Sequence, residues 1–249
     1  MTRSVLKFID GPAVASAAAE NLLKELGGLL ATQAEVHLSI TGGTVGILTL
    51  VKIAEHQRSA DLAWNRVHIW WGDERFVAAD SADRNAVQAR EALLNALPLD
   101  PNKIHEFPAF DPTSQATIAE QLDSAAAAFE DHVAAFITPG QTQPRFDITI
   151  LGMGPDGHID SLFPGSVQPG KSVVIMAEHN SPKPPPQRLT FSYEAVNNSN
   201  HVWFVVAGAD KADAVSVVFG ADATSLPAGR VSGLKQTVWF IDDAAAALI

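Results

Sequence analysis

The sequence contains no cysteine. That absence excludes disulfide bridges, zinc fingers, iron–sulfur clusters and every reaction that needs a thiolate nucleophile. Basic residues are also scarce: 17 Lys and Arg stand against 28 Asp and Glu, a net charge of −11, with a pI near 5.0. Nucleic acid and anionic membrane both want a cationic face, so neither is an expected partner. No stretch reads as a membrane span, because the Ala-rich segment 13–34 carries Glu20, Lys24 and Glu25. The first twelve residues hold no secretory h-region, and the expected compartment is the cytoplasm. The charge total leaves a question about how so acidic a protein would handle a small anion.

What is present is a chain of 249 residues, 47% hydrophobic and 18% charged, able to bury a sizeable core. Apolar, largely β-branched runs recur at 5–9, 36–40, 67–71, 146–151, 172–177, 201–207 and 237–241. Their near-continuous hydrophobicity is that of strands covered on both faces. Helical patterns lie between them at 14–30, 46–56, 84–97, 114–137 and 211–219. Strands alternating with helices predict an α/β fold with a mostly parallel central sheet and helices on both faces. No repeat or low-complexity linker divides the chain. The loop 180–187, with Pro182, Pro184, Pro185 and Pro186, reads as a stiff loop over a face, so residues 1–249 are expected to form a single domain. Ligands bind at the carboxyl ends of strands in such sheets, which directs attention to the motifs just after them.

Four segments carry chemistry. Thr41-Gly42-Gly43-Thr44-Val45-Gly46 follows a strand and opens a helix, either as a close-approach anion loop or as a tight turn with a Thr cap. It has no lysine of the nucleotide P-loop kind. Gly72-Asp73-Glu74-Arg75-Phe76 ends another strand; Arg75 could hold a carboxylate or phosphate and Asp73 could orient a hydroxyl or a base, against a solvated loop with an internal ion pair. Downstream, Arg84 opens a helix and is placed toward the same mouth. The third segment, 151–165, contains a formal G-x-G-x-x-G in Gly152, Gly154 and Gly157, but Pro164-Gly165 stops the helix that a dinucleotide site requires. What remains is a glycine turn presenting Asp156 and His158, a pair suited to a general base that activates water. The other seven histidines read as structural, and no metal-ligand spacing occurs among them. Fourth, Arg188 begins a strand, and Lys211 sits in a first helical turn against the dipole, either for an anion between them or as an ordinary surface residue.

Together these motifs resemble the 6-phosphogluconolactonase family, of the glucosamine-6-phosphate isomerase/deaminase superfamily. T-G-G-T, W-G-D-E-R-F-V, L-G-M-G-P-D-G-H-x-x-S-L-F-P-G, P-P-x-R-L-T and G-x-x-K occur in that order over residues 36–211. The resemblance implies a three-layer Rossmann-like fold, no metal or redox cofactor, and hydrolysis of 6-phospho-D-glucono-1,5-lactone in the pentose phosphate pathway. It implies His158 as general base with Asp156 as partner. Arg75, Arg188 and Lys211 would meet the phosphate or the developing charge, with Arg75 or backbone N–H groups expected at the tetrahedral oxyanion, and Gly42, Gly43 and Thr44 would line the sugar-phosphate site. Three positions depart from the usual pattern. Thr44-Val45-Gly46 stands for S-T-P, Ile159-Asp160 stands for T-A, and Arg84 replaces Ser and would add a cation to the mouth. The deaminases carry a Glu five residues after the histidine, where this chain has Phe163. A deaminase or isomerase of the same superfamily, and a non-catalytic sugar-phosphate sensor, are the alternatives. The expected partner is a small-molecule substrate, the expected state a monomer or weak homodimer, and the expected mouth locally positive.

Overall fold

Residues 36–40 show how composition becomes architecture. Val36, Leu38 and Ile40 are buried, and Ser39 between them is buried as well, so the strand β2 (Val36–Ile40) is covered on both faces. The same holds for β3 (Val67–Trp71) and β6 (Ile148–Leu151), in which every residue is buried. The computed structural model describes residues 2–166, 170 and 173–249. Among them, seven strands form one parallel sheet in the order β1-β10-β9-β6-β2-β3-β5, where β1 is Thr2–Phe8, β5 Ile104–His105, β9 His201–Val206 and β10 Gln236–Asp242. From β2 the chain builds outward to β3 and β5. It then returns to pair β6 on the other side of β2, with Leu38 opposite Ile148 and Ser39 opposite Thr149. The direction of building reverses between β2 and β6, and a crevice opens there at the strands' carboxyl ends.

The helices are fixed by local chemistry. Asp10 caps α1 (Gly11–Leu30) by accepting from Ala13 N at 2.8 Å. The helix buries Val14, Ala18, Leu22, Leu26 and Leu29 in a stripe of helical spacing. Helix α2 (Gly43–Glu55) begins three residues before its predicted start, because Gly43 enters the helix directly from the glycine turn. Helix α3 is Asn85–Ala92, followed by a 3₁₀ turn that covers part of the predicted length. Helix α4 (Ile118–Ala134) starts at the capping box Thr117–Glu120, not at residue 114, where Thr113 is drawn into a turn by Asp111. A short helix α5 (Tyr193–Asn197) and α6 (Ala212–Phe219) complete the set.

A second, three-stranded antiparallel sheet departs from the sequence-based expectation. It joins β4 (Asp73–Arg75), β8 (Arg188–Phe191) and β7 (Ile175–Glu178) in the order β4-β8-β7. Ser172, the first residue of the strand predicted over 172–177, lies outside the described residues. Arg75 pairs directly with Arg188 across β4 and β8, a like-charge juxtaposition that costs energy without an anion to share.

Candidate active site

At the crevice between β2 and β6 lies a cavity of about 830 Å³. Its walls come from the segments that follow many different strands of both sheets, which explains why its residues are dispersed along the chain.

The turn after β2 supplies the first wall, and Gly42, Gly43 and Thr44 all line it. A side chain at Gly42 would overlap the Asn85 amide, and Gly43 has φ +75°. No side chain caps α2 at Gly42. Its first-turn N–H groups are therefore left to a ligand or solvent, with the positive end of the helix dipole behind them.

The turn after β6 supplies the base. Gly154 N donates to His158 O at 2.9 Å and Gly157, at φ +77°, closes the turn onto Gly154 O at 3.0 Å. His158 Nδ1 lies 2.5 Å from Asp156 Oδ1. His158 lines the cavity and Asp156 stands behind it. The arrangement holds the ring through Nδ1 and leaves Nε2 as the nitrogen able to take a proton. Burial pushes the His158 pKa down, against the raising effect of Asp156. For Asp156, burial works upward, but the hydrogen bond and charge of His158 and the charge of Lys183 hold it below the usual carboxylate range. The pair thus rests as neutral imidazole and carboxylate. The Phe163 ring packs 4.7 Å from the His158 ring.

The small sheet forms the third wall, and here two expectations change. Arg84 does not reach the mouth. It is buried, donates to Phe107 O at 2.7 Å, and stands 3.7 Å from the buried carboxylate of Glu74. Glu74 accepts from the backbone of Arg75, Asn85 and Ala86, so it and Arg84 anchor the start of α3. Asn85, the first residue of α3, faces the cavity instead. Asp73 does line the cavity, but it is held by Ser161 Oγ at 2.6 Å and Asn85 Nδ2 at 3.2 Å.

Four cations line the cavity among the described residues: Arg75, Lys183, Arg188 and Lys211. Arg75 donates to Asp83 O at 2.7 Å and Lys211 pairs with Asp210 at 2.7 Å. Arg188 is more constrained. Its guanidinium donates to the carbonyls of Pro185, Lys183 and Pro184, and Nη1 lies 3.8 Å from Asp73. Four aspartates share the lining: Asp73, Asp160, Asp210 and Asp242. The mouth is therefore not the simple positive patch expected from the four basic residues. Asp160 shifts the balance, because burial and the neighbouring Asp73 raise its pKa well above the usual range and favour its neutral form. Asp160 as a residue is half-buried, yet both carboxyl oxygens are sealed, without a hydrogen-bond partner, on a backbone at φ +47°.

Sequence reasoning missed Lys183, Asn85 and the burial of Asp160. A signal existed for Lys183, since a lysine set between Pro182 and Pro184 leads straight into β8. Among the described residues no group of His, Asp and Glu could hold a metal ion, and no helix is long and apolar enough to cross a membrane.

A parallel α/β sheet with a carboxylate-held histidine, a glycine turn at a helix start and converging cations at its switch point makes an enzyme site for a small anionic molecule. The chain belongs to the family described as glucosamine-6-phosphate isomerases/6-phosphogluconolactonase, whose model matches residues 10–239. It is 40% identical to the 6-phosphogluconolactonase of Mycobacterium leprae over 100% of this chain and 99% of that protein. To that of Streptomyces coelicolor it is 35% identical over 95% and 91%. The crystal structure of 6-phosphogluconolactonase from Thermotoga maritima superposes with a TM-score of 0.80 at 25% identity, covering 97% of this chain and all of that one.

Proposed function

We propose that this protein hydrolyses 6-phospho-D-glucono-1,5-lactone to 6-phospho-D-gluconate, a carboxylic ester hydrolysis in the pentose phosphate pathway, with His158 as general base. The observation that carries the mechanism is the His158–Asp156 pair, 2.5 Å apart, on the wall of the cation-lined cavity; the substrate follows from the relatives' names. His158 Nε2 takes a proton from water as the water oxygen bonds to C1 of the lactone, and the carbonyl π electrons move onto oxygen. The tetrahedral intermediate collapses by breaking the bond from C1 to the ring oxygen, which receives the proton from imidazolium. Asp156 fixes the ring and its tautomer and offsets the charge that His158 acquires. The N–H groups at the start of α2, with Arg188 and Lys211, suit the phosphate. Arg75 stands opposite Arg188 on the same anion-facing pair of strands.

Phe163 favours lactone opening over deamination. Its ring packs on His158, at the position where the deaminases carry a carboxylate for ring opening. The acting unit is read as one domain, a cytoplasmic monomer or weak homodimer, with no nucleic-acid partner at a net charge of −11. The test is turnover of freshly made lactone, corrected for spontaneous opening. His158→Ala should lower kcat by about 10²–10⁴-fold, and Asp156→Asn should lower it with little change in KM. A His158→Ala protein that turns over at the wild-type rate would remove the base from this scheme.

A further inference from the structure

Lactone hydrolysis needs more than a base. Negative charge builds on the carbonyl oxygen as water adds, and a fixed donor or cation aimed at that oxygen contributes most to the rate. Of the four cations in the cavity, three have their protein partners away from the His158–Asp156 pair. Arg75 donates to Asp83 O, Arg188 holds three loop carbonyls and Lys211 is paired with Asp210. Lys183 differs. Its Nζ lies 3.4 Å from His158 Nδ1 and 3.7 Å from Asp156 Oδ1. Among the described residues no other lysine or arginine makes a hydrogen bond or ion pair with either member of that pair.

The backbone that carries Lys183 is clamped. Its N–H donates to Ser181 Oγ at 3.2 Å, and its carbonyl accepts from Ser181 Oγ at 3.0 Å and from Arg188 Nη2 at 3.2 Å. Such a tether fixes where the side chain starts while leaving that side chain, 42% exposed, free to close its ammonium onto a ligand. Water activated by His158 attacks a carbonyl carbon beside that ring, so the carbonyl oxygen comes within reach of the same ammonium.

We propose that Lys183 is a catalytic residue, the cation that meets the developing oxyanion at C1, and that Arg188 is the positioning residue that holds its loop. This assignment rests on the lactonase reading above. As the C–O bond forms, the electron pair leaving the carbonyl π bond is stabilised by the ammonium. It returns to re-form the carbonyl when the ring C–O bond breaks, so Lys183 gives up no proton. The phosphate is left to Lys211, Arg188 and the α2 N-terminus.

Steady-state kinetics on fresh lactone with Lys183→Met, Lys183→Ala and Lys183→Arg tests this. The first two should lose on the order of 10²-fold in kcat with KM changed less than about threefold, the signature of an interaction made only in the transition state. Lys183→Arg should recover part of the loss. The acid limb of the kcat/KM profile should move to higher pH in Lys183→Met, because the positive charge that lowers the His158 pKa is gone. A half-exposed side chain leaves the fold intact, and a melting temperature near wild type checks that. Unchanged kcat would overturn the assignment. A raised KM at constant kcat would also overturn it, by giving the ammonium to the phosphate. A wild-type protein that does not open the lactone would overturn the lactonase reading and this assignment with it, whereas an active wild type with an equally active Lys183→Met would overturn the assignment alone.

Discussion

Four histidines form a contiguous row that runs from the buried His68 and His105 to the half-buried His37 on one side and the exposed His132 on the other, and they make the protein's stability depend on pH in a calculable way. His37 stacks on His68 with ring centroids 4.4 Å apart, and His68 and His105 lie with planes 1° apart. His68 Nδ1 and His105 Nε2 are 2.8 Å apart, His105 Nδ1 and His132 Nε2 2.9 Å. Trp70 Nε1 donates to His37 Nδ1 at 3.1 Å, so a second proton on His37 would set N–H against N–H. Burial, then the charge of His68, pushes the pKa of His37 from 6.5 to about 4 and that of His105 to about 3. The sign follows directly. Below pH 6.5 the unfolded rings take up protons that the folded rings refuse, so the unfolded state binds more protons and stability falls with falling pH. At pH 4.5, about two units below the ordinary value, each ring costs about 2.5 kcal/mol and the two together about 5. That is a large part of the 5–15 kcal/mol typical of a domain. Urea unfolding followed by tryptophan fluorescence at pH 7.5, 6, 5 and 4.5 measures it. His105→Gln should remove about half of the pH-linked loss, whatever it does at pH 7.5. Stability that is equal within about 1 kcal/mol at pH 7.5 and 4.5, or a His105→Gln protein with the full wild-type slope, would refute the electrostatic reading of the stack.

Other perturbations follow from single positions. A methyl group at Gly154 would overlap the His158 ring and Asp156 Oδ1, so Gly154→Ala should lose most activity by displacing the pair while the melting temperature moves little; retained turnover would show that the pair can shift without cost. Asp160 folds with its proton held where the unfolded chain has released it, so it destabilises increasingly as pH rises above the ordinary carboxyl value. Asp160→Asn keeps a neutral side chain of the same shape, and Asn tolerates the left-handed backbone. It should raise stability at pH 8 by about 1–3 kcal/mol, read as a higher melting temperature; a lower one would show that the carboxylate is satisfied as an ion.

Much of the framework is readable from local composition, and the site only in part. The strands at 36–40 and 67–71 announce themselves because Val, Leu, Ile and Trp dominate them without a strict alternation, the pattern of burial on both faces. The small sheet is not readable in this way. Asp73–Arg75 is three residues long and its partner lies more than a hundred residues away, so no local pattern encodes the pairing. The Asp156–His158 pair was legible because both members sit in one turn of five residues. Arg84 departs from its expected place because the buried Glu74, a contact no local pattern announces, claims it just before α3 begins, while Asn85 takes the cavity. Lys183 is marked in the sequence only by its place among prolines, and its position over the site comes from the fold of the 181–188 loop, which Arg188 ties down by its bonds to the carbonyls of Lys183, Pro184 and Pro185.

The central claim is water attack on a phosphorylated lactone at the His158 turn, and the most direct measurement is the rate of lactone opening. Freshly generated 6-phospho-D-glucono-1,5-lactone is followed by NMR with and without protein at neutral pH. Opening far faster than the spontaneous rate, lost in His158→Ala, with no ammonia released from glucosamine 6-phosphate, is the expected result. A rate equal to spontaneous opening, or ammonia release in its place, would contradict it.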